Sequence, residues 1–340
     1  MPEVVGYWPL VVGILSGDSN EPRAHDPGSS ARSSLQKHGL LVPAGWLAVS
    51  PESGLHDEVP QCCPRALDVI AEVTNLSSDD TRSLDDTDPL MVRSVEKAFR
   101  VLEAFDGANR SLSLAQICVN VGLDKSAAQR FTHTLNKLGY LQKDPVTKRF
   151  ELSLRSLEMA RHFISANPLV NQAMPYLLHL SRETEETVNL TLPHGTDIVF
   201  AARFMSRHML NTDVVIGTRL PAFCTAPGRA ILSRLPADEA VTLLERSPLQ
   251  AFTPQTVHTV DALVARLHAA RDAGYATTWG EFFPGDLSVA AAVLDQAARP
   301  VAAVNIGVSN ARYTPEKAEE LFAPLVVAAA RSISQASSTF

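Results

Sequence analysis

The chain has 340 residues, 45% of them hydrophobic and 20% charged, with a net charge of −7. That length suits about two domains with cores of their own, and the composition is that of an ordinary globular protein. No apolar run approaches the roughly 18–20 residues needed to span a membrane, and the first fifteen residues lack the basic start of a signal peptide.

An acidic total argues against a nucleic-acid protein, yet the charge is unevenly spread. Residues 1–90 hold 5 Lys/Arg against 14 Asp/Glu, and residues 151–340 hold 15 against 18. Residues 91–150 hold 10 against 5, so this is the one basic segment. The four cysteines are Cys62, Cys63, Cys118 and Cys224. They have no CxxC partner and no His cluster at zinc spacing, so no metal and no cofactor are expected. This usage fits a reducing cytoplasm.

Residues 1–88 are rich in Pro, Gly, Ser and Asp without sustained hydrophobic period, and read as a mostly disordered acidic leader. A true start near Met91 is the alternative. Helical periodicity begins at Val92, with Val95, Ala98, Phe99, Leu102 and Phe105 on one face. A second helical pattern carries Leu114, Ile117, Cys118 and Val121 and is broken by Gly122. A third starts at Asp124, a good N-cap, with Ala128, Phe131, Leu135 and Leu138 inward. A hairpin pattern follows, Tyr140–Lys143 and Lys148–Leu152 around a turn at Asp144-Pro145. Helix, Gly turn, helix and hairpin read as a winged helix-turn-helix over residues 89–152.

In such a module the N-terminal half of the second helix of the pair enters the major groove. Its polar face holds Lys125, Ser126, Gln129, Arg130 and His133, which suit phosphates and base edges. Lys143, Lys148 and Arg149 flank the hairpin turn, where a wing meets the backbone or minor groove. Double-stranded DNA is therefore the expected partner.

Leu154, Leu157 and the stretch to Ile164 form an amphipathic helix closed by Asn167-Pro168, a linker over residues 153–168. Leu169, Ala173, Leu177 and Leu180 line a further helix. From Thr187 the period changes to two. Thr187–Leu192 and Asp197–Phe204 read as a hairpin, and Val214-Val215-Ile216 as a short strand ending at Gly217. Helices are expected over Ala230–Leu235, Asp238–Glu245 and Val260–Ala273. Strands are expected from Gly274 to Phe283, over Ser288–Leu294 and over Val301–Val308, then a closing helix capped by Thr314. Antiparallel strands flanked by helices give an α+β domain over residues 169–340. No glycine-rich phosphate loop or strand–helix–strand repeat points to a doubly wound sheet.

The strings GLDKSAAQRFTHTLNKLGYLQKD and RFELSLRSLEMA resemble the IclR family of bacterial transcription regulators. DIVFAAR, GTRLPAFCTAPGRAIL, ARDAGYATTWGEFFPGDLSVAAAV and VAAVNIGVS are similar to successive blocks of that family's effector domain. The resemblance covers roughly Pro89 to Ser334. It implies a winged helix, a linker helix and a GAF-like effector domain, working as a homodimer or a dimer of dimers on operator DNA. It also implies control of catabolic operons by small organic acids, often aromatic, and the GTRLPA form looks closest to members serving protocatechuate and hydroxybenzoate catabolism.

Carried over position by position, the resemblance places the effector pocket at Met209, Thr212, Thr225, Ala226, Thr278, Glu281, Ser288 and Asn305. A carboxylate ligand needs buried donors with little negative charge nearby. Thr225, Ser288, Asn305 and the Pro227-Gly228 helix start fit that need. Arg219 or Arg203 either pairs with the carboxylate or forms a salt bridge elsewhere. Glu281 is awkward beside an anion unless it accepts a ligand hydroxyl. Trp279, Phe282 and Phe283 either stack on an aromatic ligand or pack the core, and Cys224 reads as a packed loop residue. The alternative of an enzyme acting on a small carboxylic acid meets no GxSxG elbow, no HExxH and no nucleophile–base order.

Overall fold

The computed structural model describes residues 88–208 and 214–336. Three helices and a two-stranded wing make the first domain: α1 (Arg93–Glu103), α2 (Leu114–Val121), α3 (Lys125–Lys137), β1 (Leu141–Lys143) and β2 (Phe150–Leu152). Ser113 and Gln116 form a capping box at the start of α2, satisfying two otherwise unpaired backbone groups. Gly122 ends that helix at φ 67°, a left-handed conformation that glycine adopts without steric cost. Asp124 then caps α3 by accepting from the Ala127 N–H at 2.9 Å. Val101, Phe105, Leu112, Ile117, Val121, Leu135, Leu141 and Phe150 pack as one core.

One expectation for α1 fails. Val92, Val95 and Phe99 were expected inside, yet all three are at least half exposed, while Val101 is fully buried. The apolar stripe is real but faces outward. It continues onto α4 (Leu154–Ala166), which has no buried residue and exposes Leu154, Leu157, Met159 and Phe163. Ser153 caps α4, and Arg155 of its first turn donates to the Leu138 carbonyl at 2.7 Å, tying the linker helix to the end of α3.

Asn167-Pro168 breaks α4 from α5 (Pro168–Thr184), with Pro168 in the first turn, where its missing N–H costs nothing. The second domain is built on β3 (Thr187–His194), β4 (Asp197–Phe204), β5 (Arg219–Pro221), β6 (Ala276–Trp279), β7 (Asp286–Leu294) and β8 (Pro300–Ser309). They form one antiparallel sheet in the order β5-β4-β3-β8-β7-β6. The helices are α6 (Ala226–Leu232), α7 (Ala237–Arg246), α8 (Val260–Ala273) and α9 (Pro315–Ala336). Val214–Ile216 is not a strand. The edge strand is Arg219–Pro221, beyond the Gly217 turn, paired with Asp197–Val199.

Strand alternation assigns the two faces. Val188, Leu190, Val289, Ala291, Val304 and Ile306 pack with α5 and α9. On the opposite face, Ala290 and Ala303 pack with the α6–α8 layer. These are small residues, so α6 lies close to the sheet. Gly228 allows this: a Cβ there would sit 2.2 Å from the Ala222 carbonyl oxygen. The Gly-Arg pair opening α6 is thus a packing requirement before it is anything else.

Candidate functional site

Two surfaces gather the chemically active side chains. On the first domain, Lys125, Ser126, Gln129, Arg130 and His133 are all exposed along α3. They line a groove that continues onto Lys143 and Lys148 of the wing and the start of α2. Hydrogen bonds brace the wing turn. Asp144 accepts from the Val146 N–H and the Thr147 hydroxyl, both at 2.9 Å, and Thr147 holds its carboxyl below the ordinary range. Lys148 adopts φ 58°, left-handed and rare for a residue with a side chain.

Arg149 departs from the expected arrangement. Its Nε donates to the Ser111 hydroxyl at 3.1 Å and its Nη2 to the Ser111 carbonyl. The guanidinium is therefore spent on joining the wing to the loop before α2, next to the Leu112–Phe150 bridge, and it is absent from the groove.

The second surface is a cavity of about 620 Å³, open mouth included, between the sheet and the α6 layer. Thr225, Ala226, Thr278, Ser288 and Asn305, five of the expected effector residues, line it. Met209 and Thr212 lie outside the described residues. Glu281 does not line the cavity. Its carboxylate is held in a buried fork by Arg229, Nη1 to Oε1 at 2.6 Å and Nη2 to Oε2 at 2.5 Å. Of the two candidate arginines, Arg219 pairs with Asp197 at 3.0 Å and faces elsewhere, whereas Arg203 lines the cavity. Phe282 and Phe283 form part of its wall and stack edge-on at 4.6 Å. Trp279 packs with the α5–α9 cluster instead. Cys224 is buried in the cavity wall, and burial pushes its thiol upward, away from a reactive thiolate.

The cavity is polarised. Ile198, Phe200, Val214, Leu220, Phe282 and Phe283 supply apolar walls. Register places Arg203 opposite Asn189, and Asn189 opposite Asn305, across β4, β3 and β8. The side chains join along the same line: Arg203 Nη1 donates to Asn189 Oδ1 at 3.0 Å, Asn189 Nδ2 to Asn305 Oδ1 at 3.3 Å, and Asn305 Nδ2 to Ser288 Oγ at 3.0 Å. Asp286 completes this end, two residues from Ser288 on the same face of β7. Burial pushes its carboxyl up to about 7, opposed by the charge of Arg203. Arg203 was one of the two candidate arginines, whereas Asn189 and Asp286 were not in the expected pocket set. The β3–β4 register puts Asn189 and Arg203 on one face, and Asp286 lies between the expected strands Gly274–Phe283 and Ser288–Leu294.

An exposed polar face on a helix-turn-helix, joined through a helix to a partly enclosed amphipathic cavity, defines a DNA-binding regulator with a separate ligand domain. Residues 161–335 match the model of the bacterial transcriptional regulator IclR C-terminal domain, and residues 94–145 that of the IclR helix-turn-helix domain. The chain is 31% identical over 247 residues to the Pca regulon regulatory protein of Pseudomonas putida, covering 72% of this chain and 84% of that protein. It is 28% identical to the HTH-type transcriptional regulator KdgR of Escherichia coli, covering 74% and 95%. A candidate transcriptional regulator from Rhodococcus sp. RHA1 has a crystal structure that superposes with a TM-score of 0.65 at 33% identity, covering 72% of this chain and 98% of that one. The chain belongs to the IclR family of transcriptional regulators. Both of these relatives are named as regulators.

Proposed function

We propose that this protein binds operator DNA through the α3 face and that a small organic acid, held in the sheet cavity, alters that binding to control a catabolic operon. The observation that carries the reading is the lining of the cavity, which combines the Arg203 guanidinium with the apolar walls of Phe200, Phe282 and Phe283. A guanidinium in a partly enclosed site suits a carboxylate, and the Phe200, Phe282 and Phe283 walls suit an aromatic ring. The name of the Pseudomonas putida relative, a regulator of the Pca regulon, favours an aromatic-catabolism setting.

Lys125, Ser126, Gln129, Arg130, His133, Lys143 and Lys148 are the proposed DNA contacts. Their exposure in one groove on the only basic segment supports this assignment. The outward apolar stripe suits a second copy of the chain. Val95, Phe99, Leu138 and Met159 line one shallow groove, and burying them against a twin would form the dimer that a two-fold operator requires. The cytoplasm, where operator DNA lies, is the place of action.

Thermal-shift screening of carboxylic acids, then anisotropy titration of an operator duplex selected in vitro, tests the reading. An acid that raises the melting temperature and changes operator affinity supports it. Acids that bind without any effect on DNA would overturn it.

A further inference from the structure

The groove along α3 carries charge of one sign. Its lining holds Lys125, Arg130, Lys143 and Lys148, with His133, and includes no Asp or Glu. All five side chains are exposed. Among the described residues no ion pair engages any of the four cations. Lys148 Nζ donates to the Pro145 carbonyl at 2.5 Å, and Lys143 lies over the Phe150 ring at 5.1 Å, contacts that leave both charges uncompensated. Such a surface attracts whatever polyanion is nearest.

The chain supplies one directly ahead of this domain. Residues 68–87 hold six Asp/Glu against one basic residue, Arg82, and four of the acids fall in two pairs, Asp79-Asp80 and Asp85-Asp86. Blocks of one charge sign commonly act as interaction tails. The segment joins the domain at Asp88, whose carboxylate accepts from the Leu90 N–H at 2.9 Å just before α1. Asp80 precedes Arg93, the start of α1, by thirteen residues. An extended chain of that length reaches about 40 Å, which is about the path halfway round a domain roughly 27 Å across. Reach is therefore no obstacle.

We propose that the acidic segment of residues 68–87 docks in the α3 groove of its own chain and competes there with DNA phosphates, so that it sets how tightly the protein holds DNA. The proposal rests on reading the α3 face as the DNA site. Tethering makes a weak contact effective. A short tether holds a segment at an effective concentration of about 1 mM, so a contact with a dissociation constant of about 0.1 mM lowers the affinity of a competitor about tenfold. Sequence-specific base contacts are unaffected by this competition except through the groove they share, so every DNA sequence is weakened alike.

The test uses the full chain in two measurements. Anisotropy gives the affinity for a duplex of arbitrary sequence, which is held through its phosphates. The wild type is compared with a segment variant, Asp79→Asn, Asp80→Asn, Asp85→Asn and Asp86→Asn together. A control variant carries Asp238→Asn, Glu245→Gln, Asp261→Asn and Asp272→Asn, exposed carboxylates of α7 and α8. Both variants lose the same charge, so only a local contact separates them. At about 50 mM salt the segment variant binds about three- to tenfold tighter than the wild type, and the control shifts by less than about twofold. At about 200 mM the gap narrows, because salt weakens the carboxylate contact with the groove as well. In the second measurement, carbodiimide couples carboxylates to lysines in the wild type. Residues 68–87 become linked to Lys125, Lys143 or Lys148 in the band that runs as a single chain on a denaturing gel, and added duplex suppresses those links. Equal duplex affinity of the segment variant and the wild type, or an equal gain in the control, would overturn the proposal alone. So would groove links that are absent, or confined to the band of two joined chains. Duplex binding by none of the three proteins would overturn both the proposal and the α3 reading beneath it.

Discussion

Arg229 and Glu281 face each other as a bidentate fork in the interior, 52 residues apart in sequence and almost wholly removed from solvent. Each has a further duty. Arg229 Nε donates to the Phe223 carbonyl at 2.8 Å, and Glu281 Oε2 accepts from the Val257 N–H at 3.0 Å. The hydroxyl of Thr253 donates to the Gly280 carbonyl, and that of Thr256 to the Glu281 carbonyl, each at 2.6 Å. The pair thus joins the start of α6 to the turn carrying Phe282 and Phe283, two walls of the cavity. Removing one partner strands a buried charge, so Arg229→Met should cost about 3–5 kcal/mol in urea denaturation. Arg229→Met combined with Glu281→Leu should cost less than Arg229→Met alone. A double variant as unstable as the sum of the singles would show that the ions do not depend on each other.

Gly228 is the other fixed point of α6. A methyl group there would meet the Ala222 carbonyl oxygen, Cα and carbonyl carbon at 2.2–2.6 Å, and backbone cannot step aside as a side chain can. Gly228→Ala should destabilise the sheet domain by about 3 kcal/mol, the upper end for overpacking. Melting temperature reports it, and an unchanged value would mean that α6 is free to move off the sheet.

The pH dependence of stability should carry a signature of Asp286. Its carboxyl sits at about 7 in the fold against an ordinary 3.8, with burial as the first cause and Arg203 opposing it. Between those values the folded chain keeps a proton that the unfolded chain has lost. This contribution to stability is therefore present below about 4, falls as pH rises towards about 7, and is constant above. Other titratable side chains lining the cavity are Arg203 and Cys224. Burial raises the Cys224 thiol well above this window. Asp286→Asn should flatten the profile between pH 4.5 and 7 in urea midpoints, and a profile parallel to the wild type would remove Asp286 as the source.

The wing and the α3 face should separate in function. Arg130→Ala should weaken operator binding at fixed salt by about 1–3 kcal/mol if Arg130 reads a base, or lower the salt slope by about 1 if it meets a phosphate. Effector binding should be untouched. Arg149→Ala should instead lower the stability of the first domain by about 1–2 kcal/mol, the scale for lost hydrogen bonds, because Arg149 holds Ser111. Equal loss of DNA affinity without loss of stability would return Arg149 to the interface.

The order of elements was legible because local rules agreed: Asp124 as a cap, Gly122 as a stop, and the two-residue period of Thr187–Leu192. What escaped was decided at a distance. The stripe Val92, Val95, Phe99 announces an amphipathic helix but not whether its partner belongs to the same chain. Val214–Ile216 has the composition of a strand, yet the register of the edge is set by Asp197–Val199, which pair with Arg219–Pro221. Glu281 was placed in the pocket by the family resemblance, and nothing near it in sequence names Arg229 as its partner. The strand expected from Ser288 in fact begins at Asp286, directly after Gly285 at φ 81°.

A linkage measurement tests whether the cavity and the α3 face belong to one switch. Operator affinity is titrated at fixed salt with and without a bound acid, in the wild type and in Arg203→Ala. Coupling between two sites is reciprocal, so the acid that shifts operator affinity must bind with its own affinity shifted by the same factor when DNA is present. The expected result is a shift in the wild type that vanishes in Arg203→Ala, whose operator affinity without acid is unchanged. An identical acid-induced shift in Arg203→Ala would contradict it.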